Sequence, residues 1–162
     1  MGGEGDGCFY IGPVTMNWFQ AQSFCSTLYK GSHLLEVKDV TVDYDLGGKT
    51  KANKLYWLGG TDMARVRKLH LIGGDPKNNL TFHQEGQWRW SHSNELFYTG
   101  RNRPSNKYSN WYGAMNPDNG SRGSGPENCL EFMGNDNMWN DANCRLTNHH
   151  PICFIPEYNQ KE

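Results

Sequence analysis

No stretch of 18 or more apolar residues occurs in the chain, so the sequence contains no candidate for a bilayer-spanning helix. A hydrophobic signal segment is also missing. Met1 followed by "GGEGDG" reads as a tag or N-terminal linker over residues 1–7, joined to a mature domain. The same start fails the myristoylation pattern, because position 6 is Asp where Ser or Thr is required. Neither sign of charge dominates, with 16 Lys+Arg against 17 Asp+Glu, which removes the electrostatic case for nucleic acid or an anionic membrane. No pair of cysteines has C-x-x-C spacing, so a zinc ribbon or thioredoxin-type site is not expected. G-x-S-x-G and H-E-x-x-H are absent, and we expect no catalytic residues. "GGKT" at 47–50 resembles the end of a phosphate loop, but the first glycine of that motif falls at Asp43. No internal repeat is visible.

What is present points elsewhere. With 162 residues the chain is long enough for one domain with a real core. Cysteines stand at 8, 25, 129, 144 and 153. Two sequons, Asn79-Leu80-Thr81 and Asn119-Gly120-Ser121, accompany them. Together these features predict a secreted, extracellular glycoprotein with a disulfide framework.

"VTMNWFQAQSFCSTLYKG" predicts an amphipathic helix with Asn17 as N-cap, Trp18, Ala21, Phe24, Cys25 and Leu28 on one face, and Gly31 after the last turn. A second helix is expected over about 39–46, stopped by Gly47-Gly48. "SHLLEV", "KLYWLGG", "GQWRWS", "NCLEFMG" and "HPICFI" read as strands. From Gly100 to Asn128, 18 of 29 residues are Gly, Asn, Ser or Pro. A loop of that length is functional or disordered. Trp111, Tyr112 and Pro117 within it, and Cys129 directly after it, favour order.

Oxygen donors gather around this loop: Asn116 and Asp118 flank Pro117, Glu127 precedes Cys129, and Asn140-Asp141 precede Cys144. Three carboxylates and two amides approach what a calcium ion takes, six to eight oxygens in a flexible shell. The other reading is a set of turn residues, since Asn, Asp and Gly are common there. His149-His150 read as packing or surface groups, because adjacent strand residues face opposite ways.

In order along the chain, "CFY…NWFQAQSFC…HLLEV…YWLGG…EGQWRW…NPDN…ENCLEF…WNDANC…PIC" resembles a C-type lectin-like domain from Cys8 to about Ile155, in particular a long-form, invertebrate-like secreted lectin. The resemblance implies an α+β fold over 8–156, with two helices, two small antiparallel sheets, a long calcium-binding loop and disulfide staples. Residues 157–162 form a C-terminal tail. It implies bonds Cys25–Cys153 and Cys129–Cys144. Longer members pair the counterpart of Cys8 with a cysteine just upstream, which this sequence lacks. Cys8 is therefore expected to be unpaired or intermolecular, in a disulfide-linked or non-covalent oligomer.

The implied metal set for Ca2+ is Asn116, Asp118, Glu127, Asn140 and Asp141, with Trp139 as a core anchor and a cis peptide at Asn116–Pro117. Sugar contacts are implied at Asn116, Asp118, Glu127 and Asn140. The family reads E-P-N for mannose-type and Q-P-D for galactose-type sugars. This chain reads N-P-D, with the amide-then-acid order of Q-P-D but one methylene less at Asn116. "NGSRGSG" then supplies no stacking aromatic. An auxiliary calcium set maps onto Asp62, Glu85, Asn119 and Asn128, two of them amides where the family has acids. Residues 63–84 form an unusually long insertion, and Arg65, Arg67, Lys68 and His70 make it either a basic patch for sulfated glycans or a solvated hairpin. The implied function is calcium-dependent recognition of glycans on cells or microbes in innate immunity, with galactose-type or relaxed specificity. The alternative is a protein-binding domain with structural calcium or none.

Overall fold

The structure, a computed structural model, describes residues 7–63, 86–100, 106–120 and 126–157. Ten elements follow one another: β1 (Gly7–Ile11), α1 (Trp18–Leu28), β2 (His33–Leu34), α2 (Val40–Lys49), β3 (Leu55–Thr61), β4 (Trp88–Trp90), β5 (Leu96–Tyr98), β6 (Cys129–Met133), β7 (Met138–Ala142) and β8 (His149–Pro156). The fold is α+β. No helix among the described residues is long and apolar enough to cross a membrane.

Helix α1 starts at a reciprocal capping box. Gln20 N–H donates to Asn17 Oδ1 at 2.9 Å, and Asn17 N–H donates to Gln20 Oε1 at 3.1 Å. Trp18, Ala21 and Cys25 are its buried face, with Phe24 and Leu28 packed at the margin. Helix α2 starts at Asp39, whose Oδ1 accepts from the N–H groups of Thr41 and Val42. It does not stop at Gly47-Gly48 as the sequence suggested. It runs through them to Lys49 and ends where Thr50 N–H bonds back to Leu46 O at 2.9 Å. Asn137 lies against Gly47, 3.3 Å from where a Cβ would stand, so this glycine serves a close approach and not a stop.

The strands form the two expected groups and join them. β1 and β2 pair antiparallel with β8, and β3 pairs antiparallel with β4 and β6. The two groups are joined where β3 pairs in parallel with the start of β8, at Leu55↔His149 and Trp57↔Pro151. At eight residues, β8 is long enough to serve β3 with its first half and β1 with its second. The result is one mixed eight-stranded sheet. Strands β1, β5 and β7 had no counterpart in the sequence reading. β5 has three residues, too few to show a period, and β7 carries Asn-Asp at its centre.

Apolar residues pack on both sides of the sheet. Tyr56, Leu58, Leu130, Phe132, Trp88, Trp90 and Trp139 belong to one cluster, and Trp18, Trp57 and all four bonded cysteines to the other. Trp57, Trp88, Trp90 and Trp139 are all fully buried. Each removes ~150–250 Å² from water, worth roughly 4–6 kcal/mol as an upper bound at about 25 cal/mol/Å². Trp18 Nε1–H donates to Leu58 O, and Trp57 Nε1–H to Met16 O, so these two indoles are not left polar and unpaired. The disulfides are Cys25–Cys153 and Cys129–Cys144, as the resemblance implied, and Cys8 is a free, exposed thiol on β1.

Candidate functional site

The β6–β7 hairpin sets the frame. Its register places Leu130 opposite Asp141, Glu131 opposite Asn140 and Phe132 opposite Trp139. Side chains alternate along a strand, so Trp139 and Asp141 face one side of the sheet and Asn140 the other.

On the first side, Trp139 ties three segments together. Its ring stands edge-on to Trp90, Phe97, Tyr108 and Trp111, with centroids 5.8–6.1 Å away. Its Nε1–H donates to Asp43 Oδ1 at 3.0 Å, and Tyr108 O–H donates to Asp43 Oδ2 at 2.6 Å. Its main chain accepts from Tyr112 N–H and donates to Asn110 O, so residues 110–112 run alongside β7. The loop is therefore pinned by a buried carboxylate from α2. Burial holds the Asp43 carboxyl above its ordinary value, against the hydrogen bonds from Tyr108, Trp139 and Asn110. Burial, and then the Asp43 acceptor, push the Tyr108 hydroxyl well above its usual range.

From this root the loop reaches Asn116–Pro117, a cis peptide as expected. Asp118, Glu127 and Asp141 then converge, each offering one carboxylate oxygen within 4.8 Å of the others. Asp141 is fully buried. Its Oδ2 accepts from the backbone N–H of Asp118 at 2.9 Å and of Asn119 at 2.6 Å. Its Oδ1 is buried with no hydrogen-bond partner among the described residues. Gly120 N–H donates to both Asp118 Oδ1 and Glu127 Oε2 at 3.1 Å, and Glu127 N–H donates to Asn119 Oδ1. Asn119 and Gly120 take positive φ, 52° and 73°, which bends the chain around the carboxylates. Burial raises the Asp141 carboxyl above its ordinary value; the backbone N–H groups oppose this and the Asp118 charge adds to it.

Three clustered carboxylates and an orphaned buried acid oxygen fit a hard divalent cation with oxygen ligands, such as calcium. Beside them Asp62, Trp88, Tyr98, Met115 and Pro117 help line a cleft of about 370 Å³ that reaches Asp118 and Asp141.

Of the expected amide ligands, Asn116 is half-buried and forms the cis peptide with Pro117. Asn140 Nδ2 donates to Glu131 Oε1 at 2.9 Å. Of the auxiliary set, Asp62 and Asn128 are buried together, with Asp62 N–H donating to Asn128 O at 3.3 Å. Asn119 is exposed in the loop, and Glu85 lies outside the described residues. So do Asn79, Arg65, Arg67, Lys68 and His70. His149 and His150 do face opposite ways, the first fully buried and the second half-buried.

Sequence reasoning missed the roles of Asp43, Tyr108 and Glu131, and read His149 only as a packing or surface group. The one available signal was an acid inside an apolar strand, Glu131 in "CLEFM". Asp43 was considered only as the residue that spoils a phosphate loop.

The sequence profile described as "Lectin C-type domain" matches residues 14–154. The human protein "C-type lectin domain family 17, member A" is 24% identical over 144 residues, which cover 88% of this chain and 28% of that protein. This chain thus spans little more than a quarter of that relative's length. The carbohydrate-recognition domain of the mouse scavenger receptor C-type lectin superposes with a TM-score of 0.67 at 24% identity, covering 97% of this chain and 95% of that one. The herring type II antifreeze protein superposes with a TM-score of 0.61 at 23% identity, covering 97% and 95%.

Proposed function

Because the chain belongs to the lectin C-type domain family, we propose that it is a calcium-dependent carbohydrate-binding domain rather than an enzyme. The observation that carries this reading is the convergence of Asp118, Glu127 and Asp141 around the buried, unpartnered Asp141 Oδ1. Clustered carboxylates repel one another and a buried acceptor loses its water, costs that a bound cation offsets. Asn116, Asp118, Glu127, Asn140 and Asp141 form the proposed ligand set for Ca2+. When bound, the ion supplies coordination positions that two neighbouring sugar hydroxyls can fill. Asp118 and Glu127 accept hydroxyl protons, and the amides of Asn116 and Asn140 donate N–H. The amide-then-acid order at 116 and 118 favours galactose-type or relaxed specificity. The auxiliary set is the lesser candidate for calcium, because amides at Asn119 and Asn128 bring no charge to it.

Extracellular glycans on cells or microbes are the proposed partners, and innate defence the setting. Two disulfides agree with an oxidising compartment. The free thiol of Cys8, exposed on β1, is the proposed link in any disulfide-bonded oligomer.

Calorimetry with calcium, followed by a glycan array with and without EGTA, tests the reading. We expect calcium binding with Kd of roughly 10⁻⁴ to 10⁻³ M and glycan signals that EGTA erases. No calcium heat at millimolar concentration, or glycan signals indifferent to EGTA, would overturn it in favour of the protein-binding reading.

A further inference from the structure

Asn140 and Asp141 are neighbours in sequence, but the backbone N–H groups of the loop bond to Asp141. Asn140 takes its hydrogen bond from the sheet. Its partner there is Glu131, at the centre of β6 and 6% exposed, between the fully buried Leu130 and Phe132. The register sets Trp57, Glu131 and Asn140 side by side across three strands.

Both oxygens of Glu131 are used. Oε1 accepts from Asn140 Nδ2 at 2.9 Å, and Oε2 meets His149 Nε2 at 2.5 Å. His149 is fully buried and its ring lies flat on Trp57, with centroids 3.8 Å apart and planes at 10°. Its Nδ1 has no partner among the described residues. A carboxylate can only accept, so Nε2 is assigned the proton that faces it.

The same argument applies to Asn140. An amide in water presents either end equally well, because its oxygen and nitrogen are close in size. Facing a carboxylate, only the NH2 end bonds, and the oxygen end would meet like charge. The Asn140 oxygen is therefore directed away from Glu131, with one N–H still free to donate elsewhere. The charged acceptor also draws electron density toward the amide oxygen, which strengthens it as a metal ligand.

We propose that Glu131, itself held by His149 against Trp57, is a positioning residue that fixes which end of the Asn140 amide faces outward. Its orienting role stands on the hydrogen bonds alone, whereas its effect on ion affinity rests on the function proposed above.

The experiment follows the Asn140 side-chain amide by NMR in the calcium-free protein, with the resonance assigned by its loss in Asn140→Asp. Calcium titration runs in parallel. In the natural sequence we expect one Asn140 NH2 proton to exchange with water at least about tenfold more slowly than those of exposed side chains. Glu131→Leu keeps the volume but removes the acceptor. It should abolish that protection and weaken calcium by about tenfold or more. Glu131→Gln, which retains an accepting oxygen, should restore most of both. Should Glu131→Leu fail to fold, His149→Phe keeps the stack on Trp57 while removing the donor to Glu131, and should give a smaller loss in the same direction. Unchanged Asn140 exchange in Glu131→Leu, or in His149→Phe where the former does not fold, overturns the proposal. Protection that depends on Glu131 in a protein that binds no calcium leaves the positioning role standing and removes the calcium reading.

Discussion

Asn140 and Asp141 occupy adjacent positions on β7 yet depend on different parts of the molecule. Asp141 is held by the main chain of the loop, through the N–H groups of Asp118 and Asn119. Asn140 is held by side chains of the sheet, Glu131 and, through it, His149. The loop side consists of backbone bends around clustered negative charge. The sheet side is closed, with Glu131 and His149 buried among apolar neighbours. On the function proposed above, one half of the site would gain order from a cation and the other is ordered in advance.

Four experiments test that contrast, in order of expected effect. The largest concerns the two staples. Cys25–Cys153 closes 128 residues and Cys129–Cys144 closes 15. Chain-entropy arguments put their removal at about 5 and about 3 kcal/mol. Denaturant unfolding of the double alanine variants should rank them in that order. Calcium titration should rank them in reverse, because the shorter loop contains both Asn140 and Asp141. If both measurements rank the staples the same way, scaffold and site are not separable.

Next comes Asp141→Asn, which should reduce calcium affinity at least ~100-fold, or about 2.7 kcal/mol, as read by calorimetry. Its effect on the calcium-free fold has the opposite sign. Burial raises the Asp141 carboxyl, so its contribution to stability is present at low pH and lost as pH rises through the folded value. At neutral pH the amide should leave the calcium-free melting temperature unchanged or higher. A clear drop would show that the buried charge itself supports the loop.

The third exchange is Asn116→Glu with Asp118→Asn. It conserves charge but reverses the order of acid and amide around Pro117. A mismatched hydroxyl costs about 1–3 kcal/mol, so preference between galactose and mannose should shift by about tenfold. Competition with the free sugars measures it. A natural protein that already prefers mannose would contradict the assigned roles of Asn116 and Asp118.

The smallest effect is expected at Asp43, the anchor of the loop's root. Its carboxyl is also raised by burial, so its stabilisation is likewise fullest at low pH and lost as pH rises through the folded value. Asp43→Asn should therefore gain relative to the natural sequence between the ordinary carboxylate range and neutrality, by up to ~1 kcal/mol. Melting temperatures across that range, in EGTA, would show a flat difference if Asp43 is not the titrating group.

Much of the fold was legible because its signals are local. The amphipathic spacing from Trp18 to Leu28, the Asn17 cap and the apolar run before Thr61 are short-range patterns with direct physical meaning. The carboxylates of the site were legible for the same reason: acids beside a proline or a cysteine stand out. What misled was also local. Gly47-Gly48 reads as a stop, but Leu46 packs into the core and Asn137 closes over the glycine, so tertiary contact carries the helix onward.

By itself the sequence determined both helices, the cysteines available for bonding and the acids that surround the loop, because composition and spacing limit which elements can form; the α+β class came with the family resemblance that its motifs carry. Only the tertiary structure decided that the strands join into one mixed sheet, and that Asp141 is bonded by the loop while Asn140 is bonded by Glu131. It alone brought Asp43 to Trp139 across 96 positions, and Glu131 to His149 across 18. A buried polar side chain must find a partner wherever the fold provides one. The partner's identity depends on strand register and packing, and neither is visible in the neighbouring letters of the sequence.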